Sequence, residues 1–167
     1  MLDWSEILLR LGVAALAGAA IGLNRDLRGK PIGLKTLGLV ALSTAMVVLL
    51  AVQFAEPGKI TDAASRVIQG VLTGIGFLGA GVIVHEQAPF RVRGLTSAAC
   101  TFLAACVGVA CGAGEWRIVA TALAMAFVLL IVGLRIERWL HRVFGGREDL
   151  DPRAHPPRHR PNHPPTR

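Results

Sequence analysis

The run Gly70–Ile83, GVLTGIGFLGAGVI, sets the tightest limit on how this chain can fold. Its fourteen residues hold five glycines and no charged side chain, which is too apolar for water and too glycine-rich for an ordinary soluble helix. In a bilayer the composition has a use. Lipid tails are as apolar as the helices, so helices associate where small residues let their backbones come close. The run is read as a transmembrane helix packed tightly at the centre of a bundle.

The rest of the chain agrees. Of 167 residues 53% are hydrophobic and 17% charged, the mean hydropathy is +0.53, and the charges cluster between apolar blocks. The blocks are Ile7–Leu23, Leu37–Ala55, Val67–Val84, Leu95–Gly112 and Ile118–Leu134, each close to the roughly 17 to 25 residues that cross a hydrocarbon core of about 30 Å. The expected fold class is all-α, a polytopic integral membrane protein with a bundle of about five transmembrane helices. A cleaved signal peptide is the alternative for the first block, but Asp3 and Glu6 precede it and Arg10 lies inside it, where a signal would carry Lys or Arg ahead.

Fourteen of the 18 basic residues fall on one side of such a bundle: Arg25, Arg28, Lys30 and Lys35 after the first block, Arg91 and Arg93 after the third, and the rest from Arg135 onward. Because cytoplasmic loops retain positive charge, the N-terminus is expected outside and the C-terminus in the cytoplasm. The net charge of +7 then points to anionic lipid headgroups as partners and not to nucleic acid.

Three segments follow: a transmembrane domain over 1–134, an interfacial amphipathic extension over 135–146, and a disordered Pro/His/Arg-rich cytoplasmic tail over 147–167 with no apolar cluster to fold around. His155, His159 and His163 recur every fourth residue in that tail, but the prolines between them forbid a regular helix that would align them for a metal. Cys100, Cys106 and Cys111 share one block at spacings that bring no pair together on a straight helix. They read as small buried hydrophobes, with Cys111, nearest the outer end, the one to test for reactivity.

The small-residue spacings have two readings. Gly70 and Gly74 form GxxxG, continued by Gly76, Gly79, Ala80 and Gly81, and Gly18/Gly22 and Gly108/Gly112 repeat the spacing elsewhere. Close helix packing accounts for all of them; alternatively, a glycine-rich helix unwinds and frees carbonyls for a cation, with the Thr73 hydroxyl beside Gly74. No Asp or Glu lies inside any block, which leaves no intramembrane carboxylate for a divalent cation. Arg10 reads as snorkelling to the outer surface or pairing with Glu6. Asp62 and Arg66, four residues apart at the start of the third span, read as a helix-start acid and an exposed ion pair. No G-x-S-x-G, P-loop, H-E-x-x-H or C-x-x-C occurs, so no enzymatic activity is expected.

In order along the chain, GAAIGLNRDLRGKPIGLKTLGLVAL (Gly18–Leu42), DAASRVIQGVLTGIGFLGAGVI (Asp62–Ile83) and VRGLTSAACTFLAACVGVACGAG (Val92–Gly114) resemble the MgtC/SapB family of bacterial inner-membrane proteins. The resemblance implies about five spans and a link to magnesium limitation, acid stress or survival inside hosts. It departs at Asn24, where the family usually has Glu, at Lys35, usually Arg, and at Leu37, usually His; the tail is also too short to be the folded domain of longer members. Within the motifs the candidate functional residues are Asn24, Arg25, Lys35, Thr36, Asp62, Arg66, Gln69, Thr73, Gly74, Gly76, Gly79, Gly81, Gly94 and Thr96. The expectation is a non-enzymatic regulator that binds another membrane protein, or a second copy of itself, through small-residue helix faces. The alternative is a small transporter of Mg²⁺ or another ion with Asp62 at its outer mouth. No cofactor is expected beyond Mg²⁺ as ligand or cargo.

Overall fold

The computed structural model describes residues 2–30, 32–56, 58–84 and 94–144. These form five helices, α1 (Trp4–Asp26), α2 (Leu34–Phe54), α3 (Ile60–Val84), α4 (Leu95–Ala113) and α5 (Trp116–Phe144), with no strand among the described residues. Each of the five is long and apolar enough to cross a membrane, so the five-span all-α architecture is the one the apolar blocks predict. The tail over 147–167 with its histidines, Gly145, Gly146, and the loop residues Arg91 and Arg93 lie outside the described residues.

The chain divides into two compact units, Met1–Phe127 and Val128–Arg167. The first holds α1 to α4 and the opening turns of α5, where Val119 and Ala126 are buried. In the second, the described residues continue α5 as unbroken helix to Phe144.

Turn chemistry sets the helix ends. α1 closes into a turn through Gly29, whose φ of 63° is left-handed and suits a residue without Cβ. Across that turn the Asp26 carboxylate accepts the Leu34 N–H at 2.8 Å, capping α2 with a negative charge at its positive end. α4 ends in a Schellman arrangement: Gly114, at φ 81°, donates to the Cys111 carbonyl and Glu115 donates to Ala110 at 2.9 Å.

α1, α2 and α4 pack mutually, and α3 lies against α4 and α2. Glycines make the closest approaches. A Cβ at Gly22 would stand 2.5 Å from the Leu34 Cα of α2, and one at Gly18 would be 2.7 Å from the Ala41 Cβ. On the other side of α2, a Cβ at Gly112 of α4 would be 2.7 Å from the Ala45 carbonyl oxygen and 2.9 Å from the Val48 Cβ. α2 therefore runs antiparallel to α1 and parallel to α4, sandwiched where backbones nearly touch. The Thr44 hydroxyl, 3.2 Å from the Ala105 carbonyl of α4, adds a hydrogen bond across the seam.

This arrangement corrects the expectation for Gly70–Ile83. The most buried helix is α4, with half of its apolar window covered, whereas 6% of the α3 window is buried. Gly70, Gly74, Gly76 and Gly81 face open space, and Gly79 alone among the α3 glycines meets α4, 3.6 Å from the Ala98 Cβ. A glycine permits close approach only where a partner backbone is opposite. Within one chain, Gly18, Gly22, Gly108 and Gly112 have that partner.

Candidate functional site

The candidate residues separate into two groups. The first gathers where the α1–α2 turn meets the start of α4. Arg25, in the last turn of α1, is only 3% exposed. Its Nε donates to the Ile32 carbonyl at 3.3 Å, Nη1 to the Thr96 carbonyl at 3.5 Å and to the Cys100 sulfur at 3.4 Å, and Nη2 to the Ser97 hydroxyl. All four acceptors are neutral, and no carboxylate among the described residues pairs with the guanidinium. A buried charge of this kind is held by hydrogen bonds and by the negative end of the α1 dipole, in whose last turn it sits. The planar fork of donors ties the turn and α4 to α1 in one side chain.

Around it, Gly94 takes φ 93° to start α4, and its missing Cβ would stand 2.9 Å from the Val82 carbonyl of α3. Asn24 accepts from Arg28 Nε at 3.2 Å through Oδ1, while its buried Nδ2 has no partner among the described residues. Lys35 and Thr36 are exposed in the first turn of α2, and Leu37 is wholly buried beneath them.

The second group lies along the outward side of α3. Asp62, Arg66, Gln69, Thr73, Gly76 and Ala80 follow alternating steps of four and three residues and are all exposed, a single seam along the helix. Gly70, Gly74, Gly81 and Phe77, itself 81% exposed, flank it. The opposite side, with buried Ile75 and with Gly79, packs inward. The Thr73 hydroxyl donates to the Gln69 carbonyl of its own helix at 2.8 Å. Asp62 occupies the first turn as expected, but it forms no ion pair with Arg66: the ion pairs among the described residues are Arg10–Glu6 and Lys59–Glu56. An exposed pair gains too little in water to hold two side chains together.

Sequence reasoning missed several partners. Arg10 pairs with Glu6 at 2.7 Å, as one of its two readings has it, but also donates through Nη1 to the Gly112 carbonyl at 2.9 Å. Ser97 and Thr101, both buried in α4, went unnoticed although a polar i,i+4 pair in an Ala/Cys-rich span was a usable signal. Nothing local marked Asp26 as the cap of α2. Cys111 is fully buried, so it is poorly placed for reactivity; Cys106 is the partly exposed one. Among the described residues no three or more His, Cys, Asp or Glu side chains come together to hold a metal ion.

Residues 11–139 match the sequence model of the MgtC family. Among curated relatives, protein SrpB of Synechococcus elongatus is 41% identical over 70% of this chain and 68% of its own length. Protein SapB of Bacillus subtilis is 33% identical over 87% of this chain and 63% of its own, and protein MgtC of Salmonella typhimurium is 35% identical over 81% and 54%. The chain thus spans between about half and two thirds of the length of these relatives. No solved structure matches it.

Proposed function

The chain belongs to the MgtC family, and on that footing we propose that it is a non-enzymatic regulator in the bacterial inner membrane, tied to magnesium homeostasis or stress and host adaptation, that acts by associating with protein in the bilayer through α3. The observation that carries this is the outward seam of α3: polar residues, whose groups lipid tails cannot satisfy, and small residues, which permit close helix approach, occupy the side that the chain's own helices leave uncovered. Basic residues near the α1–α2 turn, Arg28, Lys30 and Lys35, are exposed for anionic headgroups.

Transport of Mg²⁺ is the weaker reading. The buried polar and charged residues of the described bundle are Arg25, Thr44, Ser97 and Thr101. A hard divalent cation needs several oxygen ligands and prefers carboxylates, and Arg25 sets an immobile positive charge at one end of any route between α1 and α4.

The test is a photoreactive side chain placed at Phe77 in cells expressing the full chain. An adduct with a membrane protein, of another kind or a second copy, supports association through α3. A chain that inserts and folds but yields no protein adduct removes the reading, and Mg²⁺ flux by the purified chain in vesicles would replace it with transport.

A further inference from the structure

The α1–α2 turn carries a charge imbalance that nothing among the described residues answers. Between Asn24 and Thr36 the sequence holds Arg25, Arg28, Lys30 and Lys35 against a single acid, Asp26. That acid is committed, since its carboxylate accepts the Leu34 N–H at 2.8 Å at the positive end of α2. Arg28, Lys30 and Lys35 are exposed, and neither ion pair among the described residues involves them. Arg28 has a neutral partner, its Nε donating to Asn24 Oδ1 at 3.2 Å, and buried Arg25 adds a further positive charge beneath the turn. The backbone N–H groups of Arg28, Gly29 and Lys30 all donate to carbonyls at the end of α1, which leaves the side-chain cations as the donors on offer.

The turn stands at a membrane surface, because it joins two consecutive helices each long and apolar enough to cross the membrane. An apolar track on α1 leads to it. Leu16, Leu23 and Leu27 are exposed, seven and four residues apart and so on one side of the helix. From Leu16 to Leu27 the track runs about 16 Å along the axis, half of a hydrocarbon layer of about 30 Å and so the depth of one leaflet.

We propose that the track and the turn form a site for one anionic phospholipid, its phosphate held by Arg28 and Lys30 and an acyl chain lying along Leu27, Leu23 and Leu16. The inference rests on the reading of the basic turn as facing headgroups and makes of it a defined site. A zwitterionic lipid would bring its own cation to a turn that already has a surplus. An apolar helix would cover the leucines and leave the cations unanswered, and free phosphate would do the reverse.

The test is native mass spectrometry of the purified full chain from micelles holding equal amounts of phosphatidylglycerol and phosphatidylcholine. The parent is expected to retain phosphatidylglycerol in preference, and Arg28→Gln and Lys30→Gln each to lower that preference about fivefold. Asn24→Glu should lower it similarly by giving Arg28 a counter-charge within the chain, whereas Arg66→Gln, at the start of α3, should leave it unchanged. Equal retention of the two lipids overturns the proposal and the headgroup reading with it. A preference that survives both Arg28→Gln and Lys30→Gln overturns the site while leaving headgroups to other basic residues. Displacement of the lipid by inorganic phosphate at the lipid's own concentration assigns the cations to a free ion and overturns the site as well. Should the variants fail to fold, phosphatidylglycerol with a photoreactive group in its acyl chain decides on the unaltered chain: adducts within 16–27 support the site, and adducts confined to other segments overturn it.

Discussion

Arg10 Nη1 donates to the carbonyl oxygen of Gly112 over 2.9 Å, tying the second turn of α1 to the last turn of α4 although 102 residues separate them. Fifteen residues later on α1, Arg25 reaches Thr96, Ser97 and Cys100 in the first turns of α4. One helix therefore braces both ends of its antiparallel neighbour with arginines. The two braces are not equivalent. Arg10 meets a helix C-terminus, where a cation is favoured, and keeps a carboxylate partner in Glu6; Arg25 meets an N-terminus and relies on neutral acceptors and on the end of its own helix.

Replacing Arg25 is expected to cost more than its few hydrogen bonds suggest. Arg25→Gln should destabilise the bundle by about 2 to 3 kcal/mol, since hydrogen bonds from a charged donor are worth about 1.5 to 3 kcal/mol. Arg25→Lys should recover little, because a single ammonium cannot span Ile32, Ser97 and Thr96 together. Thermal unfolding in detergent, read by tryptophan fluorescence, checks both; a Lys variant as stable as the parent would mean that charge alone matters.

At the other end, Arg10→Met should lower stability by about 1 to 2 kcal/mol through loss of the bond to Gly112. Glu6→Gln should cost less than Arg10→Met, because the arginine still caps α4. The same unfolding assay measures the order, and a larger loss in the Glu6 variant would show that the ion pair, not the cap, holds this end.

Glycines on α4 and α3 should respond oppositely to leucine. At Gly112 the new side chain meets α2 backbone and the Val48 side chain, and overpacking of that kind costs about 1 to 3 kcal/mol or more. At Gly74 it meets nothing within 4 Å, and replacing a helical glycine gains up to about 1 kcal/mol in the folded monomer. Gly74→Leu should thus fold at least as well as the parent in monomeric detergent micelles. A comparable loss at both sites would place α3 inside the bundle after all.

Membrane-permeant maleimide should modify Cys106 before Cys111 and Cys100, since the latter two are buried and Cys106 is partly exposed. Mass spectrometry of peptides after brief labelling gives the order directly. Faster modification of Cys111 would mean that the α2–α4 contact at Gly112 opens readily.

Five spans and their helical character were legible in the sequence because crossing a bilayer is a local requirement: about twenty apolar residues whose backbone bonds close within the segment. The motif positions around Asn24–Arg25 and Gly94–Thr96 were legible as candidates too, since charges, a proline and glycines interrupt apolar runs there. What the sequence could not assign was partnership. Gly74 and Gly112 look alike in a string of letters, yet a glycine acts only through what stands opposite it, and that depends on which helices are neighbours. Likewise Arg25 reads as one of several loop cations until α4 arrives beside it, and Asp62–Arg66 reads as a pair until both are seen pointing outward. The sequence by itself determined that this chain crosses the membrane in five helices of the MgtC type; only the tertiary structure decided that α4 and not α3 lies at the centre, because burial in a bundle is shared between segments distant in the chain and no local composition encodes it.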